Sequence, residues 1–260
     1  MRVREKEITR IIVDGFWKDL KEFMSSEVGI VGAGPSGLTA AFYLAREGIR
    51  VVVFERKLSA GGGIWGGGMM FNRVVVQEDA MRVVKDLGIN FKNEGEGYYS
   101  LDAVELAGTL SAQVVKNGGK VFNLFSVEDV VMVEGKVRGV VVNWSAVEIA
   151  GLHVDPLIFE TEYLVDATGH SAEIATLIVK KAGKKLFTST GDLKGEGSLW
   201  AERGEEFIVE HTGEIYPGVY ATGMAVNAIF GGPRMGPIFG GMLLSGKKVA
   251  ELIIERRKEK

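Results

Sequence analysis

The sequence predicts a three-layer α/β fold of the Rossmann type, with a parallel central sheet and an added antiparallel hairpin. The first observation is the run EVGIVGAGPSGLTAAFYLAREGIRVVVF, in which an apolar strand, a glycine turn, a helix and a second strand follow one another. The second is the alternation of short apolar runs with helix-length segments farther along the chain. The third is the use of 36 glycines against 5 prolines, which is typical of backbone that approaches a ligand closely.

The first part of the chain supplies the elements that define this fold. Apolar residues at near-helical intervals between Ile8 and Phe23 predict an amphipathic N-terminal helix within residues 1–25. The elements that follow are a buried parallel strand at 27–31, a helix at 36–47 that stops at a glycine, and a second strand at 50–54.

The later elements are predicted from the same periods and from turn signals. Residues 56–72 hold two glycine triplets around Trp65, and we interpret this segment as one wall of a ligand site, with its large apolar side chains buried. A hairpin is predicted as an insert at about 126–145. The other predicted elements are helices at about 77–87, 101–117, 172–181 and from 237 onward, strands at 120–125, 162–166, 206–211 and 219–222, and a variable loop at 182–205.

Composition excludes several classes of function. The formal net charge of −3 offers no basic surface for nucleic acid. The absence of cysteine excludes disulfides, thiolate metal sites and cysteine chemistry. No apolar run reaches membrane-spanning length, and the N-terminal MRVREKEITR has no secretory apolar core. We therefore expect a cytoplasmic protein with neither a membrane nor a nucleic-acid partner.

The hexapeptide GAGPSG matches the G-x-G-x-x-G fingerprint of dinucleotide-binding turns. It follows a predicted strand, opens a helix, and precedes the acidic Glu55 by 23 positions (55 − 32). In such a turn Gly32 permits the tight bend, Gly34 lets backbone approach a pyrophosphate, and Gly37 lets the helix pack on the strand. The helix N-terminus then faces the phosphates, and Glu55 accepts hydrogen bonds from ribose hydroxyls. We predict a single dinucleotide-binding domain over residues 1–260.

Two further motifs bear on which nucleotide binds. VDATG in mid-chain and GVYATG late in the chain are typical of the FAD/NAD-binding, glutathione-reductase-type fold. In FAD enzymes of this layout an acidic residue follows the late motif and holds the flavin chain. Here Met224 follows Gly223, so that contact is missing. The sequence therefore predicts an ADP-containing ligand other than FAD.

Four residues are candidates for chemistry. His170 follows the DATG strand end, at the sheet edge where open α/β sheets bind ligands. Asp155 and His170 form an oxygen/nitrogen pair suited to a divalent first-row metal, although such a pair also fits a hydrogen-bonded structural role. His153, two positions before Asp155, is a candidate general base. Arg234, set among glycines and prolines, is a candidate clamp for a carboxylate, or an exposed surface arginine.

These segments together resemble the ADP-thiazole synthases of thiamine biosynthesis, from about residue 10 to 255. The segments that carry the resemblance are GAGPSG, Glu55-Arg56, GGGIWGGGMM, HVDP, DATGH and RMGPIFGGMLLSG. The resemblance implies that NAD loses nicotinamide, that the ADP-ribose part isomerises to a ketose, that glycine condenses with it, and that sulfur addition and cyclisation give an ADP-thiazole carboxylate. It also implies iron, Fe(II), as the metal, although carboxylate and imidazole suit zinc or manganese as well.

The resemblance assigns roles to residues of this chain. Asp155 and His170 would be the iron ligands, with Asp155 reaching a neighbouring subunit's site in a homo-oligomer, an octamer by resemblance. Arg234 would hold the glycine carboxylate. The implied nucleotide contacts are Ser36, Glu55, Arg56, Gly63, Val127 and Met224.

The sulfur source is the point on which this chain differs from part of the family. Fungal and plant members take sulfur from a cysteine two positions before the Asp-Pro pair. His153 stands at that place here, and the chain contains no cysteine. The sequence therefore resembles the archaeal branch, which uses free sulfide and turns over repeatedly.

Three other readings stay open on the sequence. A flavin-dependent oxidoreductase would show a flavin spectrum, although the acid after Gly223 is missing. A ribose-phosphate isomerase would act without glycine or sulfide. A non-catalytic NAD-binding module would have no use for the His/Asp pair or for Arg234.

Overall fold

A central eight-stranded sheet organises the molecule, which a computed structural model describes over residues 3–259. The α-helices in that range are α1 (Glu5–Phe23), α2 (Pro35–Arg46), α3 (Met81–Leu87), α4 (Ala103–Lys116), α5 (Ser145–Ile149), α6 (Glu173–Ala182), α7 (Ala201–His211), α8 (Met224–Phe230) and α9 (Gly240–Lys258). The strands are β1 (Ser25–Val31), β2 (Val51–Glu55), β3 (Arg73–Gln77), β4 (Phe91–Gly95), β5 (Tyr98–Asp102), β6 (Lys120–Asn123), β7 (Phe125–Val133), β8 (Lys136–Trp144), β9 (Leu157–Asp166), β10 (Gly197–Leu199), β11 (Gly213–Tyr216), β12 (Val219–Ala221) and β13 (Pro233–Arg234).

The central sheet runs in the order β11-β12-β9-β1-β2-β6. All neighbours in this path are parallel except β11, which pairs antiparallel with β12. The β7–β8 hairpin joins the same sheet because β8 pairs antiparallel with the first half of β9. Since β1 has β2 on one side and β9 on the other, the chain changes direction across the sheet at β1, and a crevice forms there at the carboxyl edge.

Two apolar cores lie on the two faces of the sheet. Alternating strand residues such as Ile30 and Val53 face a core shared with α2, α3, α4 and α9, whereas Val31 and Val52 face a core shared with α1, α6, α8 and the hairpin. Helix α2 is buried from Pro35 to Ala45. A helix that packs against protein on every side needs small and apolar residues all round, which accounts for its sequence. The predicted three-layer α/β fold with a parallel sheet and an added hairpin is therefore confirmed.

Most predicted elements match the structure to within a few residues, and one strand is wrong. Residues 206–211, predicted as a strand, belong to α7, whose buried positions Gly204, Glu205 and Ile208 follow a helical period. A short apolar run such as Phe207–Val209 does not by itself distinguish the period of a strand from that of a helix. That loop also contains β10, and the C-terminal helix begins at 240 rather than 237.

Some elements were not predicted at all. A separate three-stranded sheet, β3-β5-β4, covers one side of α4 and α9, and the helices α5 and α8 are also additional. Positions 1, 2 and 260 of the predicted terminal helices lie outside the described residues. Within residues 3–259, no helix has the length and apolar character needed to cross a membrane.

Candidate active site

A cavity of about 1250 Å³ opens at the carboxyl edge of β1, β2 and β9. Its volume exceeds the range of roughly 300–1,000 Å³ typical of small-ligand pockets, so it has room for a dinucleotide. Eight of the predicted nucleotide-binding residues line it: Gly32, Gly34, Ser36, Glu55, Arg56, Gly63, Val127 and Met224. The predicted chemical residues His170 and Arg234 line the same cavity.

The glycine turn at one end of the cavity contains three glycines, and the physical reason for having glycine differs among the three positions. Gly32 has φ +102°, and a Cβ there would lie 2.4 Å from the Ala167 carbonyl oxygen. A Cβ on Gly37 would lie 2.1 Å from the Gly32 carbonyl oxygen, so this glycine lets α2 pack on the turn. Gly34 has an ordinary φ of −78°, and nothing lies within 4 Å of a Cβ built on it. Because the protein itself has no need of a glycine at Gly34, the open space above it is available to a ligand.

Glu55, at the end of β2, is held against this turn. One carboxylate oxygen accepts a hydrogen bond from the Ala33 amide at 2.9 Å, and the other accepts one from the Lys57 amide at 2.9 Å. An ionised carboxylate has about four acceptor sites, so both oxygens keep capacity for a further donor. The arrangement fits the predicted contact to ribose hydroxyls. Arg56 next to it forms an ion pair with Glu173, whose hydrogen bond raises the pKa of the Arg56 guanidinium.

The loop 56–72 forms part of the cavity wall. It contributes three glycines, Gly62, Gly63 and Gly68, together with Arg56, Lys57 and Met69. The prediction that the large side chains of this loop are buried is wrong for Trp65, Met69, Met70 and Phe71, all of which are exposed.

The DATGH segment is shaped by its aspartate. Asp166 is fully buried, and its carboxylate accepts hydrogen bonds from the Thr168 amide and hydroxyl and from the Ala175 amide at the start of α6. Burial raises the pKa of Asp166, and these donors oppose that rise. The result is a fixed turn after β9 that carries His170 to the cavity.

At the other end of the cavity His170 and Arg234 share one carboxylate. Nδ1 of His170 lies 2.7 Å from Oε1 of Glu196, and Nε of Arg234 lies 3.9 Å from Oε2 of the same residue. Glu196 was not predicted from the sequence. Its signal was present, because Gly195-Glu196-Gly197 places a charged residue among glycines, as around Arg234.

Comparison with known proteins identifies the family. The model of the Thi4 family matches residues 9–239. This chain belongs to the Thi4 family. A thiamine thiazole synthase from Pyrococcus horikoshii is 51% identical over 98% of this chain and 99% of its own length. One from Methanothermobacter thermautotrophicus is 50% identical over 99% of this chain and its whole length.

A solved structure of the family shows the same fold. The crystal structure of Thermovibrio ammonificans THI4 superposes with a TM-score of 0.96 at 48% identity, covering 99% of this chain and 100% of that one. The resemblance found in the sequence motifs is thus confirmed at the level of the family.

Two of the predicted chemical residues are not part of this cavity. His153 and Asp155 sit on the exposed loop 151–156, and neither is part of the cavity wall, although the neighbouring Leu152 is. One described chain therefore does not bring Asp155 into the cavity that His170 lines. A metal site shared with a second copy, and the base role of His153, stay predictions.

A buried acid joins α7 to the start of α9. Glu205 on α7 accepts a hydrogen bond at 2.5 Å from the Gly241 amide in the first turn of α9. Burial raises the pKa of Glu205 from 4.5 to about 7, opposed by the Gly241 amide and the Gln77 side chain.

This burial predicts a pH-dependent stability. Because the folded pKa lies above the unfolded one, the folded state keeps a proton that the unfolded state releases between about pH 4.5 and 7, and stability falls as the pH rises through that window. Between about pH 5 and 8, the free energy of unfolding should fall by up to about 3 kcal/mol more in the wild type than in Glu205→Gln. Urea unfolding at both pH values measures this. The exposed Glu202→Gln is the control, and equal pH dependence in wild type and Glu205→Gln would contradict the expectation.

Proposed function

We propose that this chain is a thiamine thiazole synthase that converts NAD, glycine and free sulfide into an ADP-thiazole carboxylate, releasing nicotinamide and depending on Fe(II). The observation that carries the proposal is a single cavity that is lined both by a dinucleotide-type glycine turn and by His170 and Arg234, which face the carboxylate of Glu196. The full-length relatives in the Thi4 family bear the same name.

The ADP part of NAD occupies the end formed by β1, α2 and β2. The N-terminus of α2 presents backbone amides, and its first turn contains no acidic residue that would repel a phosphate. Glu55 accepts hydrogen bonds from the adenosine ribose hydroxyls. The other nucleotide contacts are Arg56, Gly63, Val127 and Met224, which line the cavity around it.

Glycine binds at the other end through its carboxylate. Arg234 presents a planar guanidinium that can hold a carboxylate through two parallel hydrogen bonds. The ion pair with Glu196 at 3.9 Å is longer than a hydrogen bond, so the donors of Arg234 keep capacity for a substrate. This fixes the amine of glycine near the sugar carbon with which it condenses, and it replaces a bimolecular encounter by a positioned one.

The residues of one chain fit an iron ion only as part of an open shell. Within residues 3–259, no group of three His, Asp or Glu side chains could hold a metal. His170, Asp155 of a neighbouring copy and substrate atoms would hold the ion, which is the open shell of a catalytic metal. When bound, the ion would supply Lewis-acid chemistry and stabilise negative charge on substrate oxygen.

The shared site needs a homo-oligomer. Helix α1 leaves Ile11, Ile12 and Trp17 more than half exposed, and the loop with Asp155 exposes Leu152 and Val154. Apolar side chains grouped in this way are typical of surfaces that bind another chain. We propose that copies of this chain pack through such surfaces, in an octamer by family resemblance.

The sulfur comes from outside the chain. Position 153 holds histidine, and none of the 260 residues is cysteine, so no thiol of the protein is available as a donor. With sulfide as the donor the protein is unchanged by the reaction, and each chain turns over repeatedly.

Anaerobic incubation with NAD, glycine, sulfide and Fe(II), followed by mass analysis of the nucleotides, tests the proposal. We expect an ADP-thiazole in molar excess over protein, and none when glycine or sulfide is omitted. The intact mass of the protein should be unchanged. The absorption spectrum of a bound flavin in the purified protein would contradict the proposal. So would a ketose as the final product, formed without any need for glycine or sulfide.

A further inference from the structure

Glu196 has no role in the proposed reaction so far, although its side chain faces both His170 and Arg234, which do. Its side chain is only 16% exposed, and its two carboxylate oxygens face different partners. Oε1 lies 2.7 Å from Nδ1 of His170, and Oε2 lies 3.9 Å from Nε of Arg234. A carboxylate that is mostly removed from water is stable only where such partners compensate it.

The backbone around Glu196 holds the carboxylate in place. The Gly195 amide donates to the Ala228 carbonyl oxygen at 2.9 Å, and the Gly197 amide donates to the Gly232 carbonyl oxygen at 2.9 Å. The strand β10 that follows pairs with β13, which contains Arg234. These backbone hydrogen bonds therefore fix the position of Glu196 relative to Arg234 independently of any side-chain contact.

The contact with His170 assigns the tautomer of the imidazole. An ionised carboxylate can only accept hydrogen bonds, so Nδ1 of His170 carries the proton and donates it to Glu196. In the neutral ring the lone pair is then on Nε2, the nitrogen that remains for a ligand in the cavity. Histidines that bind metals are commonly oriented by a carboxylate on the opposite nitrogen in this way.

We propose that Glu196 is a positioning residue that fixes His170 as the Nδ1–H tautomer, with Nε2 offered to the cavity, and that holds Arg234 beside it. The inference rests on the proposed function, since it assigns to Nε2 the ligand that the reaction needs. Glu196 itself touches no substrate. It links the metal end and the glycine end of the site through one rigid carboxylate.

Nitrogen NMR of the metal-free and substrate-free protein, labelled with ¹⁵N at histidine, tests the tautomer directly. The chain has only three histidines, so three sets of ring signals are expected, and His170→Asn identifies the relevant set. At about pH 8 the wild type and the control Glu202→Ala should show His170 with the proton on Nδ1. In Glu196→Ala the signals should shift toward the Nε2–H form. A wild-type Nε2–H ring, or an unchanged Nδ1–H ring in Glu196→Ala, would overturn the proposal.

Metal binding gives a second readout. Anaerobic equilibrium dialysis with Fe(II) should show an affinity about 10- to 100-fold weaker in Glu196→Ala than in Glu202→Ala. The KM for glycine should also rise, because Arg234 loses its neighbour. Unchanged Fe(II) affinity in a folded Glu196→Ala protein would overturn the positioning role. Since the NMR measurement needs no reaction, the expected tautomer without any thiazole product would count against the proposed function and leave the role of Glu196 in orienting His170 intact.

Discussion

Replacement of Arg234 by alanine is expected to lower kcat/KM for glycine by roughly 30- to 5,000-fold, because truncating one partner of a charged, hydrogen-bonded pair costs about 2–5 kcal/mol. The loss should appear when glycine is varied at saturating NAD and sulfide. Arg234→Lys keeps the positive charge but lacks the planar guanidinium. Its kcat/KM for glycine should therefore lie between those of the wild type and Arg234→Ala. Release of nicotinamide from NAD, which precedes the use of glycine in the proposed reaction, should be affected far less.

The control for this prediction is another arginine of the same region. Arg203 lies on α7 outside the cavity wall and forms exposed ion pairs with Glu206 at 3.1 Å and Glu210 at 3.0 Å. Arg203→Ala should leave the glycine dependence unchanged. If Arg234→Ala used glycine as well as Arg203→Ala does, the carboxylate clamp would be assigned to the wrong residue.

Replacement of Gly34 by alanine is expected to weaken NAD binding without disturbing the fold. The new methyl group meets no protein atom within 4 Å, and the backbone angle of −78° is ordinary for alanine. The methyl group would instead occupy space proposed for the pyrophosphate. Forcing an extra methyl group into a filled site costs about 1–3 kcal/mol, which corresponds to a roughly 5- to 150-fold weaker affinity for NAD.

Substitutions at two other glycines distinguish weaker NAD binding from a disturbance of protein packing. Gly108 on α4 also has open space around a Cβ and is exposed, so Gly108→Ala should bind NAD normally. Gly37→Ala places a methyl group 2.1 Å from the Gly32 carbonyl oxygen and should destabilise the protein. Calorimetric titration with NAD and thermal unfolding of the three variants measure the two effects. Normal NAD affinity in Gly34→Ala would contradict the placement of the pyrophosphate.

The strand–turn–helix–strand at the start of the domain was predictable because its signals are local. The turn needs glycine at Gly32 for its backbone angle and at Gly37 for close packing, and both requirements leave a mark within six residues of sequence. The small sheet β3-β5-β4 left no comparable mark, because its strands are short and one of them is exposed throughout. Residues 206–211 were assigned to a strand because a short apolar run does not reveal its period.

Part of the candidate site was predictable because some of its residues also carry local sequence signals. His170 and Arg234 were found because each stands beside glycines at an element boundary. Glu196 also stands between glycines, but that pattern alone does not reveal its contacts with residues 26 and 38 positions away (196 − 170 and 234 − 196), on which its role depends. Asp155 was paired with His170 as an oxygen/nitrogen donor pair, and the family resemblance implies the same pair, but a single chain does not place Asp155 in the cavity wall. The proposed site shared with a second copy stays a prediction, because contacts between copies leave no local pattern in the sequence.

A crystal structure of the protein with ADP-ribose bound tests the central claim most directly. We expect the pyrophosphate over Gly34 at the N-terminus of α2, the adenosine ribose hydroxyls on Glu55, and the distal ribose between His170 and Arg234. An isoalloxazine ring in that space, or a nucleotide whose distal sugar lies away from His170 and Arg234, would contradict the account.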